Sequence, residues 1–201
     1  MPEASDNIQK VISRFGSLLD DLEYRFSEHL DKSKEQDSLI ISIASQQLYL
    51  FQKQSLVQSY PISSAENGIG NLSGSNKTPL GVHQISEKFG YDTASASIFK
   101  ARKNTHTIAK ILHSKNEKSA DDNITSRILW LDGLEDGINK GTDAKGNNVD
   151  SHSRYIYIHG TDEEGRLGQP ASHGCIRMAN QDVIELFDQV DIGCLVLITE
   201  I

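Results

Sequence analysis

Residues 172–178 read Ser-His-Gly-Cys-Ile-Arg-Met, and the assignment of both fold and chemistry depends on this stretch. A cysteine is a good nucleophile only as a thiolate, and a nearby imidazole lowers the thiol pKa and accepts its proton. Gly174 permits a tight turn before Cys175 that points backbone N–H groups at a developing oxyanion. A short helix expected directly after the turn would favour the thiolate further. The motif predicts a nucleophilic cysteine in an acyl-transfer enzyme.

Two histidines are candidates for the base that activates Cys175. His173 is two residues away, and neighbouring side chains in a tight turn often point apart. His159 ends a predicted strand at residues 154–159 and precedes a glycine-bearing loop, residues 160–168, that can fold back on the cysteine. We assign His159 as the base and His173 to shaping the turn.

Two other roles for Cys175 stay open at this point. A buried structural thiol would not explain a cysteine placed between a glycine and a turn with two histidines nearby. A zinc site using His159, His173 and Cys175 lacks an evident fourth ligand, whereas structural zinc takes four. The second cysteine, Cys194, lies in an apolar run and is predicted to be core. We therefore predict no metal and no cofactor.

The main part of the chain, residues 38–201, is predicted to be mostly β, with one or two short helices. A long polar excursion at residues 91–125 is predicted to contain one helical turn at 108–113 and to act on the substrate side. A helix is expected at residues 182–189. Strands are expected at residues 39–44, 48–52, 56–62, 82–85, 127–131, 154–159 and 194–199.

The first 37 residues have a different pattern and form a separate predicted unit of helix and linker. Apolar residues recur at helical spacing between residues 6 and 30, which predicts an amphipathic helix, and residues 31–37 are polar. Such a face most often packs on its own domain, which is the interpretation we favour. A dimer formed through this helix is the alternative.

The composition of the chain limits which classes of partner it can bind and where in the cell it is expected. The net charge is −8, which argues against a nucleic-acid partner because phosphate binding needs a basic face. No stretch approaches the ~18 apolar residues of a membrane span. The N-terminus lacks the features of a signal peptide, and two cysteines suggest no disulfide framework. These features predict a soluble, cytoplasmic protein.

The motif resembles the catalytic signature of the L,D-transpeptidase family, also called the YkuD domain. The resemblance includes His-Gly-Thr at residues 159–161 and SHGCIRM at residues 172–178. Upstream, ISIASQQLYLFQ, QSYPIS and TPLGVHQI resemble the opening strands and the Thr-Pro-x-Gly element of that domain. Downstream, NQDVIELFDQVDIGCLVLI resembles its closing helix and strand. The match spans residues 38–201 and implies a β-sandwich with one or two short helices.

The resemblance implies roles for individual residues. Cys175 would attack the bond between a diamino acid and D-alanine in a peptidoglycan tetrapeptide stem, with His159 as base and the Gly160 carbonyl orienting its imidazole. The N–H groups of His173, Gly174 and Cys175 would form the oxyanion hole. Three further residues are expected on the substrate side, the first of them holding a donor carboxylate: Arg177, Ser172 and Tyr157.

The acceptor is predicted from the expected location of the protein. A cytoplasmic member would meet free tetrapeptides or muropeptides, so water is the expected acceptor and the protein would be an L,D-carboxypeptidase of murein recycling. The alternative is an L,D-transpeptidase that forms 3→3 cross-links. A remote alternative is a non-catalytic protein that only binds peptide.

Overall fold

A computed structural model describes residues 37–53 and 55–201, together with four positions near the N-terminus. These are Ser13, Phe15, Gly16 and Asp20, all helical. Phe15 is buried in one apolar cluster with residues of the main sheet, Ile40, Phe51, Val82 and Leu195. The rest of the predicted helix at residues 6–30 and of the linker lies outside the described residues, so the helix, the domain division and the dimer remain predictions.

From Asp37 onwards, the described chain forms ten strands and one α-helix, with a 3-10 turn at Glu164–Arg166. The strands are β1 (Asp37–Ser42), β2 (Gln47–Gln52), β3 (Ser55–Ser63), β4 (Gly81–Phe89), β5 (Ser97–Lys100), β6 (Lys103–Ile108), β7 (Ile124–Gly133), β8 (Tyr157–Thr161), β9 (Ile176–Met178) and β10 (Leu195–Thr199). The helix, α1, spans Asn180–Gln189. The mostly β fold is confirmed.

The sheet closes on itself through β7. One edge of β7 pairs with β8, while the other edge pairs first with β5 and then with β4. The order β4-β10-β1-β2-β3-β9-β8-β7 therefore returns to β4, and β5 and β6 extend it as a hairpin. The expected sandwich is corrected to one closed sheet, because the ten residues of β7 are long enough to pair with two strands in succession. Closure also removes exposed strand edges.

The interior of the closed sheet is filled by aliphatic side chains that alternate along the strands. Leu39, Ile41, Leu129 and Leu131 are fully buried there. The helix α1 adds Val183, Leu186 and Phe187 to the same cluster. Its first turn is fixed by Glu164, whose carboxylate accepts a hydrogen bond of 2.8 Å from the Asn180 N–H. A carboxylate at this position also complements the helix dipole.

The polar excursion at residues 91–125 contains the hairpin β5–β6, which its composition did not reveal. The predicted helical turn at residues 108–113 is wrong. The N–H of Leu112 donates to the Asp162 carbonyl, and the Leu112 carbonyl accepts from the N–H of Gly165. The backbone of this segment is thus satisfied by the loop after β8, and a local helix is not formed. The excursion is thereby fastened beside the end of β8.

Candidate active site

Cys175 lies immediately before β9, at the end of a turn that faces β8. The strand β9 pairs in parallel with β8, and His159 is the register partner of Arg177. The expected helix directly after the turn is wrong, because residues 176–178 are taken into the sheet between β3 and β8. The thiol therefore gains no stabilisation from a helix N-terminus.

The turn is held by hydroxyl groups on its inner side. Gly174 has φ +135°, a conformation that favours glycine. The Ser172 hydroxyl donates to the Cys175 carbonyl at 2.6 Å and accepts from the Gly174 N–H at 3.2 Å. Thr78, in the Thr-Pro-x-Gly element, donates to the Gly174 carbonyl at 3.0 Å.

These contacts change two of the predicted roles. Ser172 is 2% exposed, and its hydroxyl is already bonded within the turn, so it braces the turn instead of contacting substrate. The Gly174 N–H is occupied by Ser172, and we remove it from the expected oxyanion hole. The remaining candidates for that hole are the N–H groups of His173 and Cys175, which stay predictions.

His159 is buried beside the cysteine. Its Nδ1 lies 2.7 Å from the Gly160 carbonyl oxygen. A carbonyl only accepts, so Nδ1 carries the hydrogen and Nε2 is left with a lone pair. Gly160 has no room for a side chain, since a Cβ would lie 2.7 Å from the Thr125 carbonyl oxygen.

His159 and Cys175 line the same small recess, which has a volume of about 110 Å³. The structure thus brings together the predicted base and nucleophile and places the Gly160 carbonyl where the resemblance implied. The other lining residues are Asp122, Ile124, Ser172, His173 and Arg177.

The thiol and the imidazole are both neutral in this environment. Burial raises the pKa of Cys175 to about 11, and the Tyr157 N–H, 3.4 Å from Sγ, offsets only part of that rise. The thiol itself donates to the Tyr155 carbonyl at 3.4 Å. Burial likewise lowers the pKa of His159 to about 4. The expected lowering of the thiol pKa by the imidazole is wrong for this state, because desolvation is the larger effect.

Arg177 belongs to a buried ion network under the turn. Its Nη1 donates to Glu163 at 2.7 Å, its Nη2 contacts the Asp122 carboxylate, and the side chain is 2% exposed. Glu163 also accepts from Arg166 at 2.9 Å. The predicted role of Arg177 in holding a donor carboxylate is corrected, since two carboxylates of the chain already occupy its guanidinium.

Asp122 connects this network to the turn. One carboxylate oxygen contacts Arg177, and the other lies 2.5 Å from Nδ1 of the exposed His173. Burial by itself would raise the pKa of Asp122, but Arg177 and His173 together hold it below the usual value. The ring of His173 thus bonds to the polar excursion through Asp122. Asp122 was not predicted as a site residue, because it lies in a polar stretch with no motif and its partners are about fifty residues away in sequence.

Tyr157, the third predicted substrate-side residue, is 4% exposed. Its hydroxyl accepts a hydrogen bond of 3.2 Å from Arg102, and its ring meets Trp130 edge-on at 5.5 Å. The predicted strand at residues 154–159 begins only at Tyr157, because Tyr155 has φ +58° and turns out of the sheet. Direct contact of the Tyr157 ring with substrate is not what this geometry favours, although its backbone reaches the thiol.

Two features are absent from the part of the chain that the structure describes. No group of three or more His, Cys, Asp or Glu side chains there is arranged to hold a metal ion. Among the same residues, no helix has the length and apolar character needed to cross a membrane.

The chain was compared with known proteins. The family described as the L,D-transpeptidase catalytic domain, YkuD, matches residues 36–198. A Bacillus subtilis (strain 168) protein named "Putative L,D-transpeptidase YqjB" is 45% identical over 60 residues, which are 30% of this chain and 32% of that protein.

Two solved structures are also similar to this chain. L,D-transpeptidase 3 from Mycobacterium tuberculosis, in complex with a faropenem-derived adduct, is 16% identical with a TM-score of 0.49, covering 83% of this chain and 61% of its own. An L,D-transpeptidase from Xylanimonas cellulosilytica DSM 15894 is 17% identical with a TM-score of 0.48, covering 84% and 63%. The chain thus spans less than two thirds of the length of each of these relatives. From the match over residues 36–198, the chain belongs to the L,D-transpeptidase (YkuD) catalytic domain family.

Proposed function

We propose that this protein is a cysteine acyltransferase that cleaves the diamino acid–D-alanine bond of peptidoglycan tetrapeptide stems through a thioester on Cys175. The observation that carries the proposal is the shared recess of Cys175 and His159, with the Nδ1 of His159 fixed on the Gly160 carbonyl. This arrangement leaves Nε2 as the only basic atom of the ring. Family membership supplies the substrate class.

The proposed first half-reaction forms the thioester. As Sγ bonds to the scissile carbonyl carbon, Nε2 of His159 takes the thiol proton, and the carbonyl oxygen becomes an oxyanion held by the N–H groups of His173 and Cys175. The imidazolium then gives its proton to the nitrogen of D-alanine as the C–N bond breaks. D-alanine leaves and the acyl group remains on sulfur.

The neutral resting pair favours general-base activation over a preformed ion pair. With the pKa of Cys175 raised to about 11 and that of His159 lowered to about 4, almost no thiolate exists near neutral pH before substrate binds. Proton transfer therefore accompanies attack. The Tyr155 carbonyl, which accepts the thiol hydrogen in the resting enzyme, must release it to His159 during this step.

Water is the acceptor that we propose for the second half-reaction. The recess of about 110 Å³ admits a water molecule, whose share of liquid volume is about 30 Å³, beside the acylated thiol. His159 would take a proton from this water as the thioester breaks, which releases the tripeptide and regenerates the thiol. The alternative acceptor is an amine of another stem, giving a 3→3 cross-link.

Purified protein incubated with a tetrapeptide stem, with products resolved by mass spectrometry, tests both halves. We expect equal amounts of D-alanine and tripeptide from the wild-type protein and neither product from Cys175→Ala. A cross-linked dimer as the main product would show that the acceptor is an amine and not water. The proposed function would be wrong if the tetrapeptide remained uncleaved while Cys175 of the same protein still reacted with iodoacetamide.

A further inference from the structure

The tip of the β5–β6 hairpin places an arginine beside the nucleophile. Lys100 pairs with Lys103, so Ala101 and Arg102 form a two-residue turn. Both have positive φ, +48° and +64°. Turns of this kind prefer Asn-Gly, since side chains disfavour the left-handed region at both positions. Ala101 and Arg102 nevertheless occupy this turn, which indicates that the position of the Arg102 side chain has a role.

The Arg102 guanidinium rests on an aromatic platform, which we define as Trp130, Tyr155 and Tyr157. Its Cζ lies 4.6 Å from the Trp130 ring centre and 5.5 Å from that of Tyr155, and its Nη1 donates to the Tyr157 hydroxyl. Tyr155 is 54% exposed, so the platform opens to solvent on that side. Aromatic faces hold a guanidinium by cation–π attraction without neutralising it.

Arg102 makes no ion pair with the described residues, although the carboxylate of Glu87 is near enough to interact with its charge. Within the part of the chain that the structure describes, no acidic group lies within ion-pair distance of it, and its one hydrogen bond goes to a neutral hydroxyl. Arg166 and Arg177, by contrast, each contact a carboxylate, and Arg154 donates to the backbone carbonyls of Asn71 and Lys77. A planar cation left with free N–H groups next to a nucleophile is suited to binding a carboxylate.

The platform touches the thiol through the backbone of two of its residues. The backbones of Tyr155 and Tyr157 contact Sγ, and Tyr157 and His159, two residues apart on β8, share one face of the strand. The imidazole must protonate the departing amine, so the leaving group lies on the His159 side. The acyl portion of the donor then extends the other way, past the backbone of Tyr157 and the exposed Tyr155 towards Arg102.

We propose that Arg102 binds a carboxylate on the acyl portion of the donor and so selects stems whose diamino acid carries a second carboxylate, as diaminopimelate does, over stems with lysine. The inference rests on the proposed function and deepens it, because it names the substrate class that the site accepts. Arg102 thereby takes the carboxylate-binding role first predicted for Arg177, whose guanidinium is occupied.

The test compares two tetrapeptides that differ only in that carboxylate, one with diaminopimelate and one with lysine, in the wild-type protein and three variants. Arg102→Asn removes the guanidinium while keeping a residue that tolerates the left-handed turn. Arg102→Lys keeps the charge but not the planar fork. Lys103→Gln is the matched control, an adjacent exposed cation of the same hairpin. The readout is kcat/KM for D-alanine release, with iodoacetamide alkylation of Cys175 as a measure of an intact site.

We expect the wild-type protein and Lys103→Gln to prefer the diaminopimelate stem by roughly 10- to 100-fold, the range of one charge-assisted contact. Arg102→Asn should lose this preference, Arg102→Lys should keep part of it, and alkylation of Cys175 should be unchanged. Equal rates for the two stems in the wild-type protein, or an equal loss for both in Arg102→Asn, would overturn the assignment of Arg102 alone. Turnover of neither stem by a protein that is still alkylated would overturn the proposed function as well.

Discussion

The ion network under the cysteine turn and the aromatic platform beside it each contain an arginine, in opposite surroundings. Arg177 is 2% exposed and contacts two carboxylates, Glu163 and Asp122. Arg102 lies at a hairpin tip, on aromatic rings, with a tyrosine hydroxyl as its partner. The first arginine joins the turn, the excursion and the loop after β8, so its loss would change the shape of the site.

The difference teaches that closeness to Cys175 in sequence does not determine whether an arginine is enclosed by carboxylates or left open to solvent. Arg177 is two residues from Cys175, but β9 carries its side chain into the sheet, where it meets buried acids. Arg102 is far away along the chain, but the hairpin returns it to the open side of the thiol. Substitutions in the ion network, in the platform, or at the thiol and base between them separate the roles of these regions.

Removing the nucleophile should have the largest effect. Cys175→Ala should abolish D-alanine release, a loss of more than about 10⁴-fold, because no other group can carry the acyl chain. Cys194→Ala is the matched control, since this thiol is 4% exposed in the core and its pKa is raised by burial. The control should retain activity and lose only about 1 kcal/mol of unfolding free energy. Activity assays and denaturant titrations measure the two effects.

Removing the base should have the next largest effect. His159→Gln should lower kcat/KM by roughly 10²- to 10⁴-fold, the usual range for general-base catalysis. In the wild-type protein, alkylation of Cys175 by iodoacetamide should rise about tenfold per pH unit between pH 7 and 10, because its pKa is raised to about 11. A plateau reached below pH 7 would show a preformed thiolate and contradict the neutral pair.

Breaking the buried network should reduce stability more than chemistry. Glu163→Gln should lower the free energy of unfolding by about 3 kcal/mol, since Arg166 and Arg177 both lose a buried carboxylate partner and Arg177 keeps only Asp122. Glu66→Gln is the control. Glu66 also contacts Arg166, at 3.8 Å, but its side chain is 54% exposed, so its removal should change stability by less than about 1 kcal/mol. Urea titrations of both variants measure the contrast.

The same network should make stability depend on pH. Burial favours protonated Glu163, but the Ser119 N–H and the two arginines outweigh it and hold the pKa of this carboxyl below its usual value. A depressed folded-state pKa means that the stabilisation is fully present above the ordinary carboxyl pKa and is lost as the pH falls through the folded value. Glu163→Gln should therefore flatten the acid limb of the stability curve. An unchanged limb would exclude Glu163 as its source.

The platform offers the smallest predicted effect. Tyr157→Phe keeps the ring against Trp130 and removes only the hydroxyl that accepts from Arg102. One neutral hydrogen-bond partner stabilises by about 0.5–1.5 kcal/mol, so kcat/KM should fall about two- to tenfold. A loss as large as that of His159→Gln would show that the hydroxyl takes part in the chemistry.

Seven of the ten strands, the closing helix and the Cys175–His159–Gly160 grouping could be predicted because each has a local signal, either apolar alternation or a short motif. The short strands β5, β6 and β9 could not. The closure of the sheet could not, since β7 reveals its two partners only in the folded chain. The buried position of Arg177 was also hidden, because its partners Asp122 and Glu163 come from other segments. Arg102 lacked a signal for the same reason, being a single arginine in a polar stretch.

The central claim is that the acyl group of the donor passes through Cys175, and trapping it with hydroxylamine tests this most directly. Hydroxylamine attacks thioesters, so tetrapeptide turned over in its presence should yield the tripeptide hydroxamate with the wild-type protein and nothing with Cys175→Ala. Mass spectrometry distinguishes the hydroxamate from the tripeptide acid. Release of D-alanine without hydroxamate, or hydroxamate formed equally well by Cys175→Ala, would contradict the account.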